Sequence, residues 1–167
     1  IKEDNVICTC DFLGAHYTFS DVFAQESKEL EHSAKRYYAE IMMPFRMMCK
    51  KYTQMVKDMN VDMILPSHGP VYKRPDFILD LYTDWTADAP KNLVTLPYVS
   101  MYESTKEMID YLSDKLEAKG IKTFKFDIVD DDLGDLAMSL VDAATIVMGT
   151  SMVLAGPHPM AVNVAYL

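Results

Sequence analysis

The sequence predicts an α/β protein in two parts, and the change of pattern along the chain is what predicts it. Short apolar runs end directly in polar turns, and apolar residues at helical spacing follow them. Across residues 84–92, "DWTADAPKN", that periodicity disappears. Beyond it the order becomes strand–helix–strand, the mark of a parallel sheet covered on both faces. Residues 1–83 are therefore expected to form one α/β part, 84–92 a linker, and 93–167 a doubly wound parallel sheet.

Taken in order, "NVICTC" reads as a short buried strand that ends at Asp11. Residues 27–42 form a helix, with Tyr38, Ile41 and Met42 on one face. Pro44 cannot sit in a helix interior without cost, so a kink or a new start is expected there. Phe45, Met48, Tyr52, Met55 and Met59 then recur at steps of three and four, which predicts a buried stripe of core filler. "VDMILP" is a strand running straight into Ser67-His68-Gly69-Pro70. In the second part "LVTLPYV" is a strand, 104–119 a helix, "KTFKFDI" a strand, 133–141 a shorter helix and "ATIVMG" a buried strand. Another helix begins after Pro159.

Half of the 167 residues are apolar and the formal net charge is −9. An acidic chain without clustered Lys and Arg argues against nucleic acid as a partner. No apolar run reaches the roughly 18 residues of a membrane span, so none is expected. The start "IKEDNVICTCDF" lacks a basic segment followed by a long apolar core, so no secretion signal is expected. Three cysteines, with Cys8 and Cys10 on one strand, suit a reduced, cytoplasmic protein better than a disulfide scaffold. A zinc site at that pair would need a second Cys or His pair at finger-like spacing, and none follows.

Two loops carry more polar chemistry than turns need. Ser100, Ser104 and Thr105 lie within one turn at the carboxyl end of a strand, where a helix start offers free N–H groups. Ser104 with Glu107 also matches a capping box, so a well-capped helix and a phosphate cradle are both open readings. The missing Gly-rich signature argues against a dinucleotide loop. A second hydroxyl-bearing loop, "GTSMVLAGPHP", follows a later strand. Side by side, the pair suits a flavin monophosphate better than a lone anion. Asp11 and His68 each sit just past a strand. Taken alone, Asp11 is more often a turn former than a metal ligand, while the Gly-Pro turn after His68 would fix its ring and makes that residue the more suggestive of the two.

"YVSMYEST" and "FDIVDDDLGDLAMSLVDAATIVMGTSMVLAGPHP" resemble the flavodoxin domain of the A-type flavoproteins, also called flavodiiron proteins. "CDFLGAH", "AKRYYAEIMMPFR" and "ILPSHGPVYKRP" resemble the later part of the same family's metallo-β-lactamase-like domain. The resemblance runs from about residue 5 to the end and is nearest the methanogen members that oxidise a reduced deazaflavin coenzyme with dioxygen. It implies a partial metallo-β-lactamase-like αββα sandwich, then a partial flavodoxin-like doubly wound sheet. It implies FMN and two non-haem iron ions as cofactors. Asp11 would be the carboxylate that bridges two irons and His68 a terminal ligand, these two being the catalytic and metal residues. Ser100, Met101, Tyr102, Glu103, Ser104 and Thr105 would hold the flavin phosphate. Thr150, Ser151, Met152, Val153, Leu154, Ala155 and Gly156 would meet the ring.

His16 would stand beside the metal ligands rather than among them, His32 on a helix surface, and His158 against the flavin or as a turn cap. Glu103 departs from the small residue usual in the family, and Thr150-Ser151-Met152 from its Thr-Pro-Thr. The remaining ligands and a third flavin loop would lie outside this chain, which is therefore expected to be a fragment, inactive alone. The implied activity is reduction of dioxygen to water, or of nitric oxide, with electrons from a reduced deazaflavin coenzyme or a rubredoxin-type donor. The implied assembly is a head-to-tail homodimer or tetramer. Two rival readings stay open: an electron-transfer module with a degenerate metal domain, and a zinc hydrolase of the metallo-β-lactamase superfamily.

Overall fold

A computed structural model describes residues 1–167 apart from 2, 19 and 167. The chain divides into two compact units, Ile1–Asp88 and Ala89–Leu167.

In the first unit, β1 (Val6–Cys10) pairs in parallel with β2 (Met63–Pro66). Only Val6 of β1 is buried, and Cys8 and Cys10 are exposed, so the strand is less covered than its apolar letters suggest. Helix α1 (Lys28–Tyr37) is capped by Ser27, whose hydroxyl accepts from the Leu30 amide at 3.2 Å. It turns inward Leu30, Ala34 and Tyr37. Pro44 does break the run. A wide turn over Tyr38–Met42 and a tight one over Met43–Phe45 precede α2 (Arg46–Met59). Helix α3 (Pro75–Trp85) begins on its proline, where the missing N–H costs no bond. The core is aromatic: Tyr38 meets Tyr82 at 5.2 Å and Trp85 at 5.5 Å between ring centroids.

The methionine stripe is not core. Phe45 is 52% exposed and Met48 51%, and Tyr52, Met55 and Met59 are exposed with them. Helix α2 buries Cys49, Thr53 and Val56 instead. Those three also step by four and three, so the helix has two faces at core spacing, and contact with the rest of the unit selects the other one. The expected linker is also shorter. Residues 84 and 85 complete α3 with Trp85 buried, and the next strand begins at Lys91.

The second unit is a parallel sheet around β3 (Lys91–Val99). β4 (Lys122–Asp127) lies on one side. On the other lie β5 (Ala143–Ile146) and, further along, β6 (Gly149–Thr150). Alternation along β3 explains the double winding. Val94, Leu96 and Tyr98 pack with Ile109 of α4 (Ser104–Glu117). From the opposite face, Val99 joins Leu136 of α5 (Leu133–Asp142) and Ala161 and Val164 of α6 (Pro159–Val164). Between β6 and α6 a small hairpin forms from β7 (Met152–Val153) and β8 (Gly156–Pro157).

One reading of α4 changes. Ile109 turns inward from this helix with Leu112 and Leu116 partly buried, while Met108 is 72% exposed. The capping box does not form. Glu103 occupies the cap position and Ser104 is the first helical residue. The Ser104 amide donates to the Tyr102 carbonyl at 2.8 Å.

Candidate functional site

Parallel pairing of β1 with β2 brings the two strand ends to the same edge, so Asp11 and His68 meet although 57 positions separate them. Asp11 Oδ1 lies 3.4 Å from His68 Nε2, and both side chains are at least half exposed. Their turns are stitched together by the backbone. The Ser67 amide donates to the Cys10 carbonyl at 2.7 Å, and the Ala15 amide to the His68 carbonyl at 3.1 Å. Gly69 makes this approach possible: at φ +86°, a Cβ there would stand 2.7 Å from the Ala15 carbonyl oxygen. Cys10 (φ +52°) and Leu13 (φ +67°) flank the Asp11 turn in the left-handed region, where side chains are strained.

An aromatic wall backs the pair. Tyr37 lies 5.9 Å from the His68 ring and 4.8 Å from His16, and His16 lies 6.2 Å from His68. Burial, then the nearby Asp11 charge, raises the Tyr37 phenol above its ordinary range and keeps it protonated. Its place was readable from Leu30, Ala34 and Tyr37, which share one helical stripe, but only the fold shows what that stripe faces. A carboxylate and an imidazole are donors that iron and zinc both accept. They make part of a shell: among the described residues no group of three or more His, Cys, Asp or Glu side chains could hold a metal ion.

In the second unit Tyr98 pairs with Gly149 and Val99 with Thr150, so the two hydroxyl-bearing loops leave the sheet side by side. The Ser151 amide donates to the Val99 carbonyl at 3.3 Å. Gly149 must stay small, because a Cβ would lie 2.9 Å from Ile109. In the first loop Ser100 Oγ accepts from the Lys106 amide at 3.4 Å. Ser100 and Thr105 are half-buried, while Met101, Tyr102, Glu103 and Ser104 are exposed. Glu103 sits at φ +64°, and its carboxylate pairs with Lys106 Nζ at 3.2 Å. That contact raises the Lys106 ammonium above its ordinary range.

In the second loop Thr150 Oγ1 accepts from the His158 amide at 3.1 Å and donates to the Ser151 carbonyl at 2.9 Å. Leu154 (φ +48°) and Ala155 (φ +64°) form the hairpin tip between Met152-Val153 and Gly156, with Leu154 fully exposed. His158 Nδ1 accepts from the Met160 amide at 3.2 Å, so it caps α6. Ser151 Oγ is buried without a hydrogen-bond partner among the described residues. That orphaned hydroxyl, with Ser100 and Thr105, fits an oxygen-rich ligand. The Glu103 carboxylate opposes an anion there, and Lys106 offsets it.

No protein-family profile matches the chain. An uncharacterized protein of Methanocaldococcus jannaschii is 30% identical over 161 residues, 95% of this chain and 41% of that protein. An oxidase of the reduced coenzyme F-420 from Methanothermobacter marburgensis is 24% identical over 95% of this chain and 41% of its own length. The anaerobic nitric oxide reductase flavorubredoxin of Salmonella paratyphi A is 30% identical over 89% of the chain and 32% of its own. Among solved structures, rubredoxin oxygen:oxidoreductase of Desulfovibrio gigas superposes with a TM-score of 0.90 at 22% identity, covering 99% of this chain and 43% of that one. The flavodiiron protein of Giardia intestinalis gives 0.89 at 22%, over 98% and 41%. The chain thus spans about two fifths of the length of the curated relatives it matches first.

Proposed function

Over nearly its whole length this chain is similar in sequence and in fold to part of the flavodiiron proteins, and from that premise we propose that it is part of a flavin- and diiron-dependent oxidoreductase. Residues 1–83 would belong to its metal-binding domain and 93–167 to its FMN-binding domain. The observation that carries the reading is the meeting of Asp11 and His68 at the ends of two paired parallel strands.

Asp11 offers two carboxylate oxygens and can bridge two cations, while His68 Nε2 can hold one. When bound, the irons and the flavin would supply the electrons for reduction of a small molecule. Tyr37 and His16 would fill the space behind His68 and limit how far its ring can turn. Ser100, Thr105 and Ser151 would hydrogen-bond the flavin through their hydroxyls. Lys106 would offset the charge that Glu103 brings to that loop.

The molecule reduced would be dioxygen or nitric oxide. A relative named for nitric oxide and a solved structure named for oxygen are both matched, and the reductant would be a reduced deazaflavin coenzyme or a rubredoxin-type donor. A head-to-tail homodimer would bring one protomer's flavin loops against its partner's metal site. Metal analysis of the longer protein tests the reading. Two irons per chain are expected, reduced by Asp11→Asn and by His68→Ala with flavin content unchanged. Zinc, or no metal in the wild type, would favour the hydrolase or the electron-transfer reading instead. The 167-residue chain alone should bind iron weakly and below one equivalent, since tight binding needs a complete preformed shell.

A further inference from the structure

The two hydroxyl-bearing loops, 100–106 and 149–158, contain one ammonium, Lys106, and one carboxylate, Glu103. The two are paired with each other, with Lys106 Nζ 3.2 Å from Glu103 Oε2. The cation that could meet a phosphate in these loops is therefore held by an anion of the same loop. The Lys106 amide donates to Ser100 Oγ at 3.4 Å, which fixes the backbone and leaves the side chain able to change partners.

The fold makes no other use of the Glu103 carboxylate. Glu103 holds the cap position of α4 without a side-chain cap bond. It does so at φ +64°, where any residue with a Cβ is strained. The Met101, Tyr102 and Glu103 amides donate to no acceptor among the described residues. A run of unpaired amides favours an anion, and a carboxylate within the same three residues opposes one.

Resting on the flavin reading of these loops, we propose that Glu103 determines how strongly the site selects for a phosphorylated flavin. By holding Lys106, and by its own charge, it reduces what a terminal phosphate adds to binding. The site therefore tells FMN from riboflavin less sharply than the same loop without that carboxylate.

The test is a flavin-fluorescence titration of the longer protein, freed of flavin, with FMN and with riboflavin, which differ only in the phosphate. Glu103→Gln keeps the size of the side chain and removes its charge. FMN should bind that variant about tenfold more tightly, and riboflavin within about twofold of the wild type. Lys106→Gln alone should weaken FMN about threefold, but about tenfold when added to Glu103→Gln, because only there is the ammonium uncommitted. Equal shifts of both flavins in Glu103→Gln would show that the residue shapes the loop rather than reads charge, and overturn the proposal. An unchanged FMN affinity in Glu103→Gln, or equal losses from Lys106→Gln in both backgrounds, would overturn it too. A wild-type protein that binds neither flavin overturns the flavin reading itself, and the proposal with it. The Glu103 and Lys106 side chains are 67% and 47% exposed, so the variants are expected to fold, which far-UV circular dichroism checks.

Discussion

The two units build their candidate sites in opposite ways. In the first, the chemistry belongs to two side chains far apart in sequence, and strand pairing with backbone stitching brings them together. In the second, each loop is a continuous stretch, and a two-residue register places one loop beside the other. A site of the first kind should fail as a whole when the stitching fails. A site of the second kind should lose affinity contact by contact.

Gly69 is the sharpest place to break the first kind. Gly69→Val would force a branched residue to φ +86° and push its Cβ against the Ala15 carbonyl. A loss of about 3 kcal/mol is expected in the first unit. Trp85, the chain's one tryptophan, lies in that unit, so denaturant unfolding followed by its fluorescence measures the effect. An unaffected Trp85 transition would show that the two turns do not depend on each other.

For the second kind, Thr105→Val in the longer protein should cost about 1.5–3 kcal/mol of flavin binding, roughly ten- to a hundredfold in affinity. Far-UV circular dichroism should be unchanged, since α4 takes no side-chain cap bond that the variant could remove. Flavin titration checks it, and an unchanged affinity would leave the loop as a turn only.

Smaller effects divide the units further. Glu103→Gly should stabilise the second unit by up to about 1 kcal/mol, because glycine adopts φ +64° without strain. Ser27→Ala should destabilise the first by about 1 kcal/mol through the lost α1 cap. Thermal unfolding of each variant reads both, and effects of the same sign would contradict the assignment of strain to one loop and a good cap to the other.

Alkaline pH offers a last contrast. Burial pushes the Cys49 thiol from 9.0 to about 11 and the Tyr38 phenol from 10.0 to about 12. Both groups stay protonated in the fold where the unfolded chain has released its protons. First-unit stability should therefore be level below about pH 9 and fall as pH rises through 9 to 12. A pH series of Trp85 unfolding midpoints would show it, and Cys49→Ala should remove the earlier part of the fall.

What could be read from the letters follows from the same contrast. The two strand ends that carry Asp11 and His68 were legible, because each strand runs directly into its turn and that is a local signal, whereas their pairing rests on β1 lying beside β2. The sheet of the second unit was legible because apolar alternation and helix spacing are local too. The buried face of α2 was not. Met48, Tyr52 and Met55 share their spacing with Cys49, Thr53 and Val56, and only contacts from elsewhere choose between the two faces. The capping box at Ser104 and Glu107 misled for a related reason. Its pattern is local, but a left-handed turn at Glu103, with no glycine to announce it, moves Ser104 into the helix. Gly69 gave a turn signal, yet the carbonyl it must avoid belongs to Ala15, more than fifty positions away.

The 57 positions between Asp11 and His68 have a consequence for loop-closure entropy. Bringing two chain points together costs a term that grows only as the logarithm of the segment between them, and doubling that segment adds about 0.6 kcal/mol. The stitched turns set the geometry, and the intervening length adds little. Residues inserted at an exposed point between α1 and the Asp11 turn would therefore leave the carboxylate and the imidazole facing each other, while one methyl-sized addition at Gly69 would not.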